Sequence, residues 1–417
     1  MFQLVYADRK GRMYEHSGII AVGRTGNVYT EMDEVETIPL PDGASLVLIP
    51  DGIPIGIRPN GDFSIIDRDP FGKPAFCVGA LLPQGFTRTL MPAFQRNAEI
   101  PLPLFGYAAV AWKEGLIHVA ALQTDDDHKW NPINYSTSEL SSLVENAVEL
   151  HKDNRIIKQL SRCALKYNCF TAQNIFYKRW EGGIPVSPSC NARCLGCISL
   201  QPAECCPSPQ ERIDFSPAVD EIAGIAVPHL IEAEDGIISF GQGCEGEPSL
   251  AAETVSAAIK MIRSQTKSGT INMNTNAGYT DGIKSICLAG IDSLRVSTIS
   301  AREKTYATYY RPNNYSWKDV CSSVKYARQC GIFVSLNLLT LPGLTDHQDE
   351  VGALIDFIRK YDVNMIQIRN LNIDPDYLSS RLKLPNQRFL GINHLVNVLR
   401  EEFPGIVIGN YSKPVLK

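Results

Sequence analysis

Three cysteines stand close together in the run Cys190-Asn191-Ala192-Arg193-Cys194-Leu195-Gly196-Cys197. Thiolates are ligands for zinc and for iron–sulfur clusters. Three thiolates do not complete a tetrahedral zinc site, so zinc would need a fourth ligand from elsewhere in the chain. A four-iron cluster held by the same three thiolates keeps one iron open, and an open iron can bind a substrate or a cofactor directly.

The other cysteines also indicate metal or redox chemistry. The chain has 12 cysteines, and seven of them lie between Cys163 and Cys206. The sequence opens without a basic segment followed by a long apolar one, so we expect a cytoplasmic protein, where a disulfide framework is disfavoured. Cys163, Cys169, Cys205 and Cys206 flank the triplet. They predict a second site for zinc or an auxiliary iron–sulfur cluster, and free thiols are the alternative.

A second motif is the run Phe240-Gly241-Gln242-Gly243-Cys244-Glu245-Gly246-Glu247-Pro248, which ends an apolar segment typical of a strand. Its glycines let backbone approach a ligand closely, and a turn rich in carbonyl groups with carboxylates nearby suits an ammonium group. Three of the glycines also fit the dinucleotide-binding pattern G-x-G-x-x-G. Glu245 and Glu247 argue against a dinucleotide, because negative charge at this position opposes a phosphate.

The elements that must position these motifs change character along the chain. Residues 1–135 alternate short apolar runs with turn residues, which predicts a β-rich, mostly antiparallel domain of unknown role. The turn pairs that favour a positive φ are Asp42-Gly43, Asp51-Gly52 and Asn60-Gly61.

Residues 136–182 are predicted to be a helical connector that carries Cys163 and Cys169. Its first helix is predicted to begin with the capping box Ser136-Thr137-Ser138-Glu139, because apolar residues follow at helical spacing. This connector joins the β-rich domain to a part of the chain with a different pattern.

Residues 183–417 alternate strand-like and helical segments and end in a helix. Six βα units predict an α/β fold, in which a parallel sheet with outer helices forms a partial (β/α)6 barrel. Active residues of such sheets gather at the carboxyl ends of the strands. The predicted strands are Ile184–Val186, Ile237–Phe240, Thr270–Met273, Ser293–Thr298, Ile332–Leu339 and Met365–Arg369.

A cysteine triplet with this spacing, after the first strand of a partial barrel, resembles the radical S-adenosylmethionine (SAM) superfamily. The resemblance covers about residues 183–400. It implies that Cys190, Cys194 and Cys197 bind three irons of a [4Fe–4S] cluster and that SAM binds the fourth iron. It also implies that one electron from the reduced cluster cleaves SAM to methionine and a 5′-deoxyadenosyl radical, which abstracts a hydrogen atom from a substrate.

Further motifs resemble the family's contacts to SAM. The run Glu245-Gly246-Glu247-Pro248 is similar to the family's GGEP-type motif, whose backbone holds the amino group of SAM. Other candidate SAM-binding residues lie on or after the third, fourth and sixth strands: Asn274, Asn276, Arg295, Ser297 and Gln367. Gly196 departs from the pattern, because the family usually has an aromatic residue there, so another group must contact the adenine.

Cys244 lies inside the presumed SAM loop and is a candidate catalytic residue. Some family members that epimerise their substrates use a cysteine to return a hydrogen atom, and the alternative here is a small packing residue. The cluster of Tyr306, Tyr309, Tyr310 and Arg311 has a similar pair of interpretations, a substrate pocket or aromatic packing under a loop.

We therefore expect an oxygen-sensitive radical SAM enzyme, an oxidoreductase or a transferase, that receives electrons from a ferredoxin or flavodoxin. A peptide or protein is the expected substrate, and a small metabolite or a nucleic-acid base is the alternative. A non-catalytic, zinc-stabilised binding module is an alternative of another class. The formal net charge of −5 disfavours nucleic acid, and the longest apolar stretch is about half a membrane span, so no membrane partner is expected.

Overall fold

The computed structural model describes residues 1–97, 100–102, 104–125, 128–200, 208–384 and 386–415. The chain divides into two compact units, each made of several segments. The first unit comprises Met1–Pro132, Leu339–Ile355 and Ile368–Asn410, and the second comprises Ile133–Leu338, Asp356–Gln367 and Tyr411–Lys417. The domain boundaries inferred from the sequence remain predictions.

The amino-terminal part of the first unit is rich in β-strands, as predicted. One sheet contains twelve of these strands, and its central path runs β11-β6-β2-β1-β8-β12-β13-β4. A second, two-stranded sheet pairs β14 with β9. The strands are β1 (Gln3–Ala7), β2 (Met13–Thr25), β3 (Val28–Glu31), β4 (Ile38–Pro39), β5 (Ser45–Leu48), β6 (Ile53–Ile57), β7 (Phe63–Ile65), β8 (Phe76–Leu81), β9 (Phe86–Arg88), β10 (Met91–Pro92), β11 (Phe94–Gln95), β12 (Ala108–Lys113), β13 (Leu116–Val119) and β14 (Ala121–Gln123).

One of the three predicted turn pairs forms a hairpin. Asn60-Gly61 joins the antiparallel pair β6 and β7, and Gly61 has a φ of 86°, a value that glycine adopts without a steric cost. The strands beside Asp42-Gly43 and Asp51-Gly52 pair elsewhere, since β4 pairs with β13 and β5 with β8. The positive φ angles predicted for these two dipeptides are present at Gly43 and Asp51. They did not determine which strands bond to each other.

The core of this sheet consists mainly of small and β-branched side chains. They alternate along their strands, so one face of each strand is buried. One cluster of buried residues contains Val5, Ala7, Val78, Ala80, Ala108, Val110, Val119 and Ala121.

A third sheet has seven strands in chain order, and its first five strands pair in parallel. This arrangement confirms the predicted α/β partial barrel. The strands are β15 (Arg179–Gly183), β16 (Glu234–Phe240), β17 (Thr270–Thr275), β18 (Ser293–Thr298), β19 (Phe333–Thr340), β20 (Met365–Asn370) and β21 (Val407–Gly409).

Helices α1, α2 and α3 precede the first strand of this sheet, and the other helices lie between or after its strands. In α5, buried residues recur every three or four positions, as at Val255, Ala258, Ile259 and Ile262, which is the helical period. The helices are α1 (Leu140–Leu150), α2 (Arg155–Lys166), α3 (Phe170–Tyr177), α4 (Val219–Glu232), α5 (Ala252–Gln265), α6 (Thr280–Ala289), α7 (Glu303–Tyr310), α8 (Trp317–Gln329), α9 (Gln348–Tyr361), α10 (Pro375–Leu382) and α11 (Ile392–Glu402).

The first strand of the barrel lies earlier than the sequence predicted. The apolar run Ile184–Val186 is extended but lies beyond the strand, which ends at Gly183. The strand itself contains polar residues, including Glu181, so it lacks the apolar pattern of its neighbours. Beyond Ile184, the N–H group of Val186 bonds to a glutamate side chain instead of a neighbouring strand.

The predicted capping box at Ser136 does not form. Ser136 has a φ of 53°, and its N–H group donates to Oε1 of Gln173 at 2.8 Å. The helix begins four residues later, at Leu140. The connector then contains three helices, α1, α2 and α3, because Asn154 caps a new helix with its side chain.

In the part of the chain that the structure describes, no helix combines the length and apolarity required to cross a membrane.

One ion pair stabilises the start of α4. Glu221 accepts three bonds from Arg155, including one from Nη2 at 2.6 Å, and one from the N–H group of Ala218 at 2.8 Å. The Arg155 hydrogen bonds are the main reason that the pKa of Glu221 is lowered to about 2. The carboxylate therefore joins α2 to the amino terminus of α4 in its charged form.

We predict that Glu221→Gln lowers the free energy of unfolding by about 1–2 kcal/mol at pH 7, because it removes the ion pair with Arg155. The loss is limited to this size because one side of the ion pair is exposed to solvent. The folded-state pKa lies below the unfolded value, so this contribution is present above about pH 4.3 and is lost as the pH falls toward 2. Urea unfolding between pH 7 and pH 3 measures it. Glu232→Gln, which breaks the exposed pair with Lys178, is the control, and an equal loss in both variants contradicts the prediction.

Candidate functional site

The cysteine loop is held in place by a segment of the chain far away in sequence. Residues 309–313 comprise the end of α7 and the chain directly after it, and they form a short antiparallel bridge with the cysteine loop, between Ala192 and Pro312. The N–H group of Arg193 donates to the carbonyl oxygen of Tyr310 at 3.0 Å, and that of Leu195 to Tyr309 at 2.9 Å. These bonds fix the backbone on which the three thiols are mounted.

The three thiols of this loop are free and only partly exposed. Burial, together with the charge of Glu247, raises the pKa of Cys190 to about 11. Burial, followed by the other two thiols, raises the pKa of Cys194 well above its ordinary value. The thiols of Cys190 and Cys194 therefore favour their protonated forms.

Donors converge on the third sulfur. Sγ of Cys197 accepts the N–H group of Leu200 at 3.3 Å and Nη2 of Arg212 at 3.7 Å. Donors of this kind stabilise sulfur ligands of iron–sulfur clusters. Among the described residues, no three His, Cys, Asp or Glu side chains are arranged to hold a single metal ion. The donor set of three thiols on one loop thus fits a cluster with several irons better than one bare ion.

Glu245 binds the loops that leave two strands. Its Oε2 atom accepts the N–H groups of Val186 at 2.7 Å and Ser187 at 2.9 Å. Its Oε1 atom accepts those of Gly241 at 2.5 Å and Gln242 at 3.0 Å. Burial raises the pKa of Glu245 to about 7, and the four N–H groups act against that shift. The carboxylate is fully used by the protein's own backbone.

Glu247 has a similar role one step along the motif. Its carboxylate accepts the hydroxyl of Thr275 and the N–H groups of Asn276 at 2.7 Å and Ser249 at 3.0 Å. Pro248 then begins a 3₁₀ helix at its first turn, as its fixed φ favours. Both glutamates of the motif are therefore buried structural carboxylates.

Gly246 lets this motif lie against the start of the cysteine loop. Its N–H group donates to the carbonyl oxygen of Ser187 at 2.7 Å, and that of Glu247 donates to Ser189 at 2.7 Å. A Cβ atom on Gly246 would lie 2.0 Å from the carbonyl oxygen of Ser189. Only glycine fits here, so the motif and the loop of Cys190 form one continuous surface.

Asn276 connects the third strand to the cysteine loop. Its Nδ2 atom donates to Oδ1 of Asn191 at 2.7 Å, and its Oδ1 atom accepts the N–H group of Gly278 at 2.8 Å. Asn274 faces the second strand instead, where its Nδ2 atom donates to the carbonyl oxygen of Gly241 at 3.1 Å. The structure thus brings both predicted asparagines to the exits of β16 and β17.

Arg295 lies in a buried polar network. Nη2 donates to Oε1 of Glu181 at 3.0 Å, and Nη1 donates to Gln367 at 3.0 Å and to Ser412 at 2.9 Å. Nε donates to Oδ1 of Asn274. Of the predicted SAM-binding residues, Arg295, Gln367 and Asn274 therefore contact one another, and Ser297 lies half-buried two residues further along β18.

Glu181 is a residue that the sequence interpretation missed. It is 3% exposed, and Oε1 also accepts the hydroxyl of Ser239 at 2.6 Å. Its strand was predicted at the apolar run that follows, which left this glutamate in the connector. A lone acidic residue directly before two glycines was the available signal.

Two of the additional thiols, Cys163 and Cys169, lie near Cys244. Sγ of Cys163 accepts Nε2 of Gln159 at 3.4 Å, and a hydrogen bond from the Cys244 thiol is the main reason that the pKa of Cys163 is lowered. The N–H group of Cys169 donates to the carbonyl oxygen of Cys163 at 3.0 Å. Cys244 thus joins the cysteines of the connector, while Cys205 and Cys206 lie outside the described residues.

The tyrosine cluster packs as a buried aromatic group behind the cysteine loop. Tyr306, Tyr309 and Tyr310 are at most 3% exposed. The rings of Tyr306 and Tyr310 stack with centroids 4.4 Å apart, and the hydroxyl of Tyr306 lies 3.2 Å from that of Tyr315. This packing stabilises the segment that binds the loop backbone.

Residues 184–358 match the sequence profile described as the Radical SAM superfamily. This part of the chain is a radical SAM domain. The match begins directly after β15 and contains the cysteine loop and both glutamates of the second motif. No curated protein matches the chain.

Several solved structures share part of the fold at low sequence identity. Methylornithine synthase is 14% identical, with a TM-score of 0.39 over 65% of this chain and 78% of that one. The FeFe-hydrogenase maturase HydG from Carboxydothermus hydrogenoformans is 17% identical, with a TM-score of 0.38 over 66% and 71%. Streptococcus suis SuiB bound to S-adenosylmethionine is 13% identical, with a TM-score of 0.38 over 76% and 72%.

We predict that Glu245→Ala lowers the free energy of unfolding by about 3–5 kcal/mol, because it leaves two buried and two partly buried N–H groups without an acceptor. Urea unfolding at neutral pH measures the loss. Glu253→Ala, an exposed glutamate in the first turn of α5, is the matched control and should change stability by less than about 0.5 kcal/mol. Similar losses in the two variants would show that Glu245 does not hold these loops.

Proposed function

We propose that the protein reductively cleaves SAM at a [4Fe–4S] cluster bound by Cys190, Cys194 and Cys197. The observation that carries this proposal is that backbone hydrogen bonds hold the cysteine loop in one position. Bonds to residues 309–313 fix its backbone, and contacts through Gly246 place the loop against the glutamate motif. When bound, the cluster supplies one electron that splits SAM into methionine and a 5′-deoxyadenosyl radical for hydrogen abstraction from a substrate.

The chain's own residues would bind and orient these groups. Arg212 and the N–H group of Leu200 stabilise the charge on the sulfur of Cys197. Glu245 and Glu247 fix the loop that follows β16. Because both carboxylates are occupied, backbone carbonyl oxygens of this loop would bind the ammonium group of SAM. Buried tyrosines behind the cysteine loop exclude water from that side.

We propose a peptide or protein as substrate, supported by the large antiparallel unit that accompanies the barrel. A small metabolite or a nucleic-acid base is the alternative substrate. A ferredoxin or flavodoxin would supply the electron in an oxygen-sensitive reaction, and the compartment we propose is the cytoplasm. Mass spectrometry of peptides incubated with the enzyme distinguishes the first substrate class from the others.

A further part of the proposal concerns the additional thiols. The thiols of Cys163, Cys169 and Cys244 lie near one another. Together with Cys205 and Cys206, they are the candidates for an auxiliary cluster or a zinc site. In the described residues the thiol of Cys244 bonds to Cys163. Iron, sulfide and zinc analysis of the purified chain separates these possibilities, and zinc near one per chain without iron would favour the non-catalytic binding module.

We predict that Ala in place of Cys190, Cys194 or Cys197 removes cluster absorbance and reduces 5′-deoxyadenosine formation by more than 100-fold, since even outer-shell changes at metal sites cost about 10–100-fold. The assay is anaerobic reconstitution followed by dithionite and SAM. Cys287→Ala, a buried thiol on α6, is the control and should keep both signals. A triplet variant that still cleaves SAM at the wild-type rate would falsify the assignment.

Cys244 is the candidate for returning a hydrogen atom to the substrate radical. If it has that role, Cys244→Ser abolishes the modified product while 5′-deoxyadenosine still forms. Cys163→Ser, which removes the partner of the same thiol, is the control and should keep the product. If both variants lose product equally, the thiol pair is structural and the role is excluded.

A further inference from the structure

Arg88, the last residue of β9, is the bulkiest fully buried side chain, with 0% exposure. Only one of its three guanidinium nitrogens has a hydrogen-bond acceptor, since Nη2 donates to the carbonyl oxygen of Leu371 at 2.5 Å. Nε and Nη1 are buried and have no partner. A buried donor without an acceptor costs free energy, so this arrangement requires an explanation.

The charge of Arg88 is also unmatched. In the described part of the chain, no carboxylate forms an ion pair with it, although Arg24, another buried arginine of the same unit, has one. Arg24 donates to the carbonyl oxygen of Gly26 at 2.7 Å and pairs with Asp376 at 2.6 Å. Burial lowers the pKa of Arg88 to about 9, so the guanidinium still carries its charge at neutral pH. An uncompensated buried charge is strongly unfavourable.

The surroundings of Arg88 place it at the end of a barrel strand. Its N–H group donates to Oδ1 of Asn370 at 3.0 Å, and Nδ2 of Asn370 donates to the carbonyl oxygen of Phe86 at 3.0 Å. The N–H group of Leu371 in turn donates to the carbonyl oxygen of Thr340 at 3.0 Å. These bonds, all within the first unit, fix the guanidinium at the carboxyl ends of β19 and β20.

A second guanidinium lies at the same strand end. Nη1 of Arg369 donates to Oε1 of Gln84 at 3.2 Å and to the carbonyl oxygen of Asn410 at 2.8 Å. Substrates of open α/β sheets bind at the carboxyl ends of the strands. Two arginines therefore place positive charge at this edge of the sheet. Of the two, Arg88 is the one with buried guanidinium nitrogens that lack an acceptor.

We propose that Arg88 binds a carboxylate of the substrate, so that the β-rich part of the first unit supplies an anion-recognition group to the barrel edge. This inference rests on the proposed function and narrows its substrate to molecules with a carboxylate group, such as a peptide. The planar guanidinium matches a carboxylate in shape and charge. Nε and Nη1 of Arg88 are fully buried, so the chain packed around Arg88 must open before a carboxylate can reach them. Once bound, the carboxylate is shielded from water.

The test uses thermal unfolding of the purified full-length chain, which needs no SAM cleavage. Acetate is the carboxylate probe, with chloride at equal ionic strength as reference and inorganic phosphate as the competing anion. Acetate should raise the Tm of the wild type by about 2 °C or more beyond chloride, because a ligand that binds only the folded state stabilises it. Phosphate should act no more strongly than chloride.

Variants assign the effect to Arg88. Arg88→Met keeps the apolar bulk without the charge, so its Tm should equal or exceed that of the wild type, and its response to acetate should equal its response to chloride. Arg88→Lys keeps the positive charge but lacks the planar pair of N–H donors of a guanidinium. The Tm shift that acetate causes in this variant should be less than half of the wild-type shift. Arg24→Met, which removes a buried guanidinium with a hydrogen bond to Gly26 and an ion pair to the exposed Asp376, should lower the Tm by about 2 °C or more and keep the acetate response.

Three outcomes overturn the proposal. In the first, acetate has no more effect than chloride on the wild type. In the second, phosphate exceeds acetate, which assigns the site to a phosphate group. In the third, Arg88→Met loses as much Tm as Arg24→Met, which makes the arginine structural. Since none of these readouts depends on 5′-deoxyadenosine, a failure here is distinguishable from a failure of the proposed SAM cleavage.

Discussion

The site depends on one buried carboxylate. Glu245 accepts four backbone N–H groups, two from the chain beyond β15 and two from the chain beyond β16. Strand pairing stops at those points, so these N–H groups would otherwise lack acceptors in a buried place. By satisfying them, Glu245 lets both strand exits remain irregular and still rigid. The cysteine loop and the glutamate motif both start from these two exits.

The interior of the sheet has its own charge balance. Arg295 and Glu181 form an ion pair that is almost completely buried, with side chains 9% and 4% exposed. Their remaining polar atoms bond to Ser239, Gln367 and Ser412. Such a pair is stable only when its hydrogen bonds are complete, and it then specifies one arrangement of the strands. Residues on β15, β18 and β20 are thereby tied to a single register of contacts.

Arg88 contrasts with Arg295. Every nitrogen of the Arg295 guanidinium has an acceptor in the protein, whereas Arg88 has, among the described residues, one acceptor and no carboxylate partner. Both side chains are buried, so solvent does not account for the difference. The matched arginine is part of the fold, and the ligand proposed above would account for the unmatched one.

The sequence by itself determined the class of fold, and it is the source of the prediction that the thiol triplet binds a cluster. Six alternating βα segments and the spacing of Cys190, Cys194 and Cys197 are local patterns, and strands such as Ser293–Thr298 were predicted with their observed bounds. Only the tertiary structure decided what these residues contact. The first strand was misplaced because buried polar residues such as Glu181 lack an apolar pattern, and the grouping of Cys244 with Cys163 joins residues distant in the chain. Contacts between distant segments depend on packing and hydrogen-bond satisfaction, which no local spacing encodes.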